Sequence, residues 1–421
     1  MNPNHALKFL QNYKLSLVLF IAWALYLVAL NQFGLWAYIG VPHMKPLFAD
    51  FHAILSATEC HARGTNVFES NPCDVLGRVH VYGSLWLKLG ALGVRATQLF
   101  SIGLAINLVF MACAVFLVKP TSWGELAKSC LVLFSSAVTL GIERANNDLI
   151  VFILLVVSAI LFVMKDRVAH IFGLIVIYLS SLLKIYPSVL FGAVLFITRR
   201  NIKGVIFVAG CATALAGIWL ATNLSEILLL KNIVPAPLDH YATGARAFMA
   251  YIGRPYPWLL TIPKEWLLTA FVSVIALSSM TLAFCLKTVT VQQDRSRLNY
   301  VLFIFGLTIL FFTYAVNSNY DYRWIFFIFL MPLLFDVQKS NTNNRLAGRL
   351  VTIGFICAAI VMWTETLRST RLFGIFHINT FFNLGRSTFS IELLQQFLKE
   401  LAAWVLFSVL FAIAIKSFPK K

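Results

Sequence analysis

The chain has 421 residues, 60% of them hydrophobic and only 12% charged, with a mean hydropathy of +0.82. Soluble domains carry roughly a quarter charged residues, so an ordinary globular protein is excluded. The formal net charge of +17 would fit a nucleic-acid partner, and the distribution of the basic residues decides against one.

Apolar runs such as 205–220, 301–312 and 401–415 approach the roughly 20 residues that cross about 30 Å of hydrocarbon. Lipid cannot satisfy exposed backbone groups, so only helices or closed barrels span it, and these runs lack the period-2 alternation of barrel strands. In chain order, helices are predicted near 15–33, 96–118, 127–142, 148–164, 168–183, 187–198, 203–222, 266–286, 299–316, 323–337, 348–364 and 400–416. The expectation is an all-α polytopic protein with about 11 to 13 transmembrane helices in one integral membrane domain, 1–421. Runs near 171–183 and 188–197 are too short to span alone, which predicts tilted, re-entrant or buried segments. Lys8 and Lys14 precede the first apolar run, whose only Ala-x-Ala, 22–24, lies inside it; the segment reads as an uncleaved anchor.

Assigning the loops alternately to the two sides gives one arrangement that obeys the positive-inside rule. With both termini inside, the inner segments hold eighteen of the 34 Lys and Arg and four of the 17 carboxylates, a net +14. The outer side then carries +3, together with three long segments, 34–95, 223–265 and 365–399. The net charge is therefore mostly a topology signal with anionic-lipid contact, and no nucleic acid is needed. Thirteen carboxylates lie outside, so carboxylate chemistry is expected there.

In the first outer segment, 34–95, Asp50 precedes FHAILSATECHA, which reads as an amphipathic helix in the interface plane. Asp50 is either that helix's N-cap or a functional carboxylate. Cys60 and Cys73 bracket a polar loop and form a disulfide if it faces an oxidising compartment; two free thiols would read the same. The other five cysteines fall in apolar stretches, as small hydrophobes do.

Three outward turns concentrate polarity. In GIERANNDLIVF, 141–152, Asn147 can cap the next helix and Arg144 can pair with Asp148 four residues on, yet Glu143, Arg144, Asn146, Asn147 and Asp148 together exceed what a turn needs. In LKIYPSVL, 183–190, Lys184 is either a snorkelling lysine beside Tyr186 or part of a site. In NSNYDYRWIF, 317–326, aromatic anchoring accounts for Tyr320, Tyr322 and Trp324, and an Asp321–Arg323 pair would account for the charges. His52, His61, His80 and His240 are outward candidates for hydroxyl contacts or merely solvated side chains.

The early loop aspartate with its following helix and Gly-x-Asn-x-Phe segment resembles the GT-C superfamily of membrane glycosyltransferases. The order GIERANNDLIVF, LLKIYP, NYDYRWIF is similar to glycosyltransferase family 87, the polyprenol-phosphate mannosyltransferase group, over most of residues 15–340. The resemblance implies transfer of a mannose-like hexose from a polyprenyl-phosphate sugar to a lipid-linked or glycan acceptor on the outer, periplasmic face of the cell's inner membrane, with inversion. It implies Asp50 as general base and Arg144, Lys184 and Arg323 as phosphate contacts. Glu143, Asn147, Asp148 and Asp321 would support these cations, and Tyr186, Tyr320, Tyr322, His52 and His240 would contact sugar, prenyl chain or acceptor. No metal or other cofactor is expected: there is no His/Cys ligand spacing, no Asp-x-Asp and no Gly-rich phosphate loop. Rival readings are a lipid or sugar transporter, which would place charges near the midplane, and a lipid-diphosphate-dependent ligase or polymerase.

Overall fold

The structure is a computed structural model that describes residues 3–197, 202–235, 241–244, 247–248, 253, 261, 263–286, 296–316, 319–340, 344–369, 382–384, 387–389 and 391–417. The protein is an all-α polytopic membrane protein. Among the described residues, seven helices are long and apolar enough to cross a membrane, or eight if one bent pair is a single span. Shorter apolar helical stretches, 147–163, 167–183 and 186–196, accompany them and also expose apolar side chains, Ile160, Phe172 and Phe196 among them.

Helix α1 (Pro3–Gln32) packs on α3 (Leu99–Val118) through Trp23 and Phe110, with ring centroids 6.0 Å apart. Between them lies α2 (Ala49–Ala62). Eleven of its fourteen residues are buried, so it is not an interfacial amphipathic helix. The 3-10 segment Ser84–Leu92 and the start of α3 cover it, Trp86 meeting Phe51 and Phe100 meeting Phe48.

The run expected as one helix over 127–142 is two, α4 (Trp123–Leu133) and α5 (Ser136–Arg144), bent by 55°. The Ser135 hydroxyl caps α5 at Val138 N, and the carbonyls freed by the bend find donors on other helices. Tyr26 Oη donates to Phe134 O at 3.0 Å, and Trp363 Nε1 to Leu131 O at 2.5 Å. These bonds replace the water that a membrane interior does not supply.

Only Ala145 and Asn146 separate α5 from α6 (Asn147–Val163). Ala145 takes a left-handed conformation, φ 42°, unusual for a residue with a Cβ, and the turn closes with Asn146 N donating to Gly141 O at 2.9 Å. Helix α7 (Arg167–Leu183) returns alongside α6. Both lie within one residue of their predicted positions.

Helix Ile202–Ile233 runs about three turns beyond the predicted 203–222, so the segment expected over 223–265 begins near 234. Its extension reaches the 34–95 segment, where Glu226 accepts from Ser84 N at 2.8 Å. Helices Lys264–Cys285 and Ser296–Val316 follow. The predicted 323–337 helix divides into a 3-10 segment, Asp321–Phe329, and the helix Met331–Ser340. Residues 324–335 are buried throughout, and Gly306 lets the backbone approach: a Cβ there would stand 2.7 Å from Phe326 O. The segment expected over 365–399 is likewise shorter, because helix Arg345–Ser369 continues past 365 and the C-terminal helix, Ile391–Lys416, begins at 391.

A two-residue bridge, β1 (Ala242–Thr243) with β2 (Asn319–Tyr320), is antiparallel and joins the 223–265 segment to the third polar turn. The core beneath includes an aromatic cluster: Phe152 lies 5.0 Å from Phe110 and 4.3 Å from Phe329, centroid to centroid.

Candidate functional site

The three polar turns and the early aspartate meet at one end of the bundle. Asp50 lies in the first turn of α2 without being its N-cap, a position taken by Phe48 with no side-chain capping bond. Its carboxylate points across the structure instead, where Asn146 Nδ2 donates to Oδ2 at 2.6 Å. Arg78 Nη1 stands 3.4 Å and Arg144 Nη1 3.5 Å from Oδ1.

Asn146, not Asn147, caps α6, its Oδ1 accepting from Asp148 N at 2.9 Å. The same oxygen lies 3.4 Å from Lys184 Nζ. A carboxylate only accepts and an ammonium only donates, so Asp50 and Lys184 together dictate which way this amide faces. One carboxamide thus links Asp50 to the lysine. Asn147 serves the fold, its Nδ2 donating to Leu183 O at 3.2 Å and tying α6 to the end of α7.

Arg144 does not pair with Asp148 as the i,i+4 spacing predicts. The left-handed Ala145 ends the helix between them, and the spacing rule holds only along a continuous helix. Arg144 Nε bonds Glu143 Oε2 at 3.2 Å instead. Glu143 in turn accepts from Met44 N at 2.8 Å and contacts His43 Nδ1 at 3.1 Å, fixing the approach to α2.

Asp148, fully buried, gathers a second set of groups. Lys184 donates to its Oδ1, Tyr186 Oη donates to the same atom at 2.9 Å, and Arg323 Nε lies 3.8 Å from Oδ2. Lys184 is therefore no snorkelling lysine. Its ammonium sits among the rings of Tyr82, Tyr186 and Tyr322, with centroids 5.4 to 5.8 Å away, and Arg323 stands 5.4 Å over Tyr186. Such faces favour cations. Tyr320 and Tyr322 stack at 5.4 Å.

Asp321 and Arg323 do not pair either. Two residues apart in a 3-10 segment they face different sides, and Asp321 Oδ2 meets Lys399 Nζ at 2.7 Å. Lys399 is also 3.8 Å from Glu365. On the same helix, Gln396 Nε2 donates to Ala242 O at 3.2 Å and Glu400 accepts from Gly244 N at 3.1 Å. The C-terminal helix thereby holds the β1 segment and, through Asp321, the segment that carries Arg323.

Cys60 and Cys73 are bonded. The neighbouring Asp74 is held well below the usual carboxylate range: burial alone would raise it, and hydrogen bonds with His52 and Arg78 outweigh that. His52 and His80, expected outward, are buried. His52 Nδ1 contacts Asp74 Oδ1 at 2.9 Å, and burial pushes His80 down to about 4. His61 is exposed, and His240 lies outside the described residues.

The sequence reading missed Arg78, Asp74, Asn146 as the linking amide, Tyr82 and Lys399. Arg78 sat unremarked in a loop of turn residues; its only signal was a guanidinium four residues after an aspartate.

Four cations, Arg78, Arg144, Lys184 and Arg323, thus surround Asp50 and Asp148 with side chains 12 to 30% exposed. Arg144, Lys184 and Arg323 can take up an anionic group, and Asp50 can present a carboxylate to a proton donor. No group of three or more His, Cys, Asp or Glu able to hold a metal occurs among the described residues. No family model, curated protein or solved structure matches the chain.

Proposed function

We propose that the protein is a polyprenyl-phosphate-sugar-dependent hexosyltransferase, moving a mannose-like hexose to a lipid-linked or glycan acceptor with inversion at the anomeric carbon. The observation that carries the proposal is the Asn146 bridge, 2.6 Å to Asp50 and 3.4 Å to Lys184, which sets a carboxylate beside a cation cluster. In this reading Asp50 accepts the proton of the acceptor hydroxyl as its oxygen bonds to the anomeric carbon. The bond from that carbon to the phosphate oxygen breaks on the opposite face, and polyprenyl phosphate leaves with the electron pair. Lys184 and Arg323, with Arg144 beside them, stabilise the charge gathering on the departing phosphate.

Placing this end of the bundle on the periplasmic side of the inner membrane, with both termini cytoplasmic, agrees with the basic residues at the other end. There Lys339 pairs with Glu125 at 2.8 Å and Arg297 donates to Val163 O at 3.1 Å. The disulfide fits an oxidising compartment. Transport is disfavoured because Phe152, one turn below Asp148 on α6, packs against Phe329 and Phe110 where a polar path would continue.

The test supplies purified protein in lipid with radiolabelled polyprenyl-phosphate mannose and a lipid extract of the membranes as acceptor, and in parallel with the diphosphate-linked sugar. Transfer from the monophosphate donor with inverted configuration is expected. Transfer from the diphosphate donor alone would overturn the proposal.

A further inference from the structure

Asp50 needs a fixed direction to act as a base, and Asn146 secures only one of its oxygens. The other faces Arg144 Nη1 at 3.5 Å and Arg78, which no sequence motif marked. Every nitrogen of that guanidinium has a defined partner. Nε bonds Asp74 Oδ2 at 2.9 Å, Nη2 bonds Asp74 Oδ1 at 3.2 Å and Ala49 O at 2.6 Å, and Nη1 is left for Asp50 Oδ1 at 3.4 Å.

The planar fork is thus gripped on two edges by a bidentate carboxylate and a backbone carbonyl, and its third edge has one direction available. Asp74 is itself held. His52 Nδ1 lies 2.9 Å from it, Arg78 N donates back to Oδ2 at 2.9 Å, and the adjacent Cys73 is bonded to Cys60 on the same helix that carries Asp50. The disulfide closes a short circuit: α2, Cys60, Cys73, Asp74, Arg78, and back to Asp50.

We infer that Arg78 is a positioning residue for glycosyl transfer, clamped by Asp74 so that its free edge orients the Asp50 carboxylate towards the acceptor hydroxyl. The inference rests on the hexosyltransferase reading. It goes beyond the cations proposed to hold phosphate, because Arg78 has Nε and Nη2 committed to Asp74 and Ala49 and turns Nη1 to Asp50. Lysine in its place would keep the charge but lose the fork, and with it the direction.

The experiment measures kcat and donor KM for wild type, Arg78→Lys, Arg78→Gln, Arg78→Gly and Asp50→Asn, with thermal unfolding of each. A misplaced base costs about 100-fold, so kcat should fall by about that factor in Arg78→Gln, and by less in Arg78→Lys, with donor KM unchanged. Added guanidinium ion should restore part of the Arg78→Gly turnover and none of the Asp50→Asn turnover. A folded Arg78→Gln with wild-type kcat overturns the inference while leaving the transferase reading intact. So does a loss of turnover that tracks unfolding and is not rescued by guanidinium. If wild type transfers no sugar, both readings fail together.

Discussion

The amide of Asn146 donates to Asp50, 96 residues earlier in the chain, at 2.6 Å, while its oxygen faces Lys184, 38 residues later, at 3.4 Å. It is also the cap of α6. One side chain therefore sets the geometry between the proposed base and the proposed phosphate-binding cation.

Asn146→Asp separates those roles, because aspartate caps a helix as well as asparagine but places a second carboxylate against Asp50. The buried like charge should cost about 1 to 3 kcal/mol and depress transfer strongly. Thermal unfolding and sugar transfer measured together check it; unchanged stability with full turnover would contradict the assigned contact.

Asp50→Asn should lower turnover by about 100-fold to 10,000-fold, the usual contribution of a positioned base. Its fold should survive, since asparagine still accepts from Asn146. Full activity in a well-expressed variant would remove Asp50 from the mechanism.

Lys399→Met leaves Asp321 buried without its cation, which should cost about 3 to 5 kcal/mol. Adding Asp321→Asn removes the stranded charge and should recover much of the loss. Unfolding midpoints of the single and double variants decide the matter. If the double variant is no more stable than the single one, the pair is not what holds this region.

Cys60→Ser or reduction should destabilise the 34–95 segment by about 3 kcal/mol, as expected for a bond closing a loop of this length. Non-reducing and reducing melts of the wild-type protein read this directly, and a Cys60→Ser variant should show no further effect of reductant.

Stability should also fall with acid in two windows. His80 is buried neutral and pushed down from 6.5 to about 4, whereas in the unfolded chain it protonates near its ordinary value. Its contribution is complete above about pH 6.5 and is lost towards pH 4 at up to about 1.4 kcal/mol per pH unit. Asp74, held below its ordinary value, contributes above about pH 4 and loses its effect only as the pH falls further. Melting temperature against pH for wild type and His80→Gln should differ in slope between about pH 6.5 and 4; parallel curves would exclude His80 as the source.

Much of the architecture was legible because the cost of polarity in lipid falls on each residue singly. Helices α6 and α7 begin at the residues after Asn146 and Asp166, whose side chains cap them, and both ends stand out against apolar surroundings. The bend at Phe134–Ser135 was not legible, because a serine pair is also tolerated inside a continuous apolar helix and the freed carbonyls are satisfied by Tyr26 and Trp363 from distant helices. Asn146 and Asn147 are the same residue side by side. Only the left-handed Ala145 decides which of them caps, and which reaches Leu183.

By itself the sequence determined that this is a helical membrane protein and which turns carry its charges, since hydropathy and charge are properties of single residues and short runs. Tertiary structure alone decided the partners: Arg144 and Arg78 with Asp50, Lys184 and Arg323 with Asp148, Lys399 with Asp321. A buried charge must be neutralised, but the requirement does not say by which residue. That choice is a property of pairs brought together across tens of residues, set by where the helices end and how they pack.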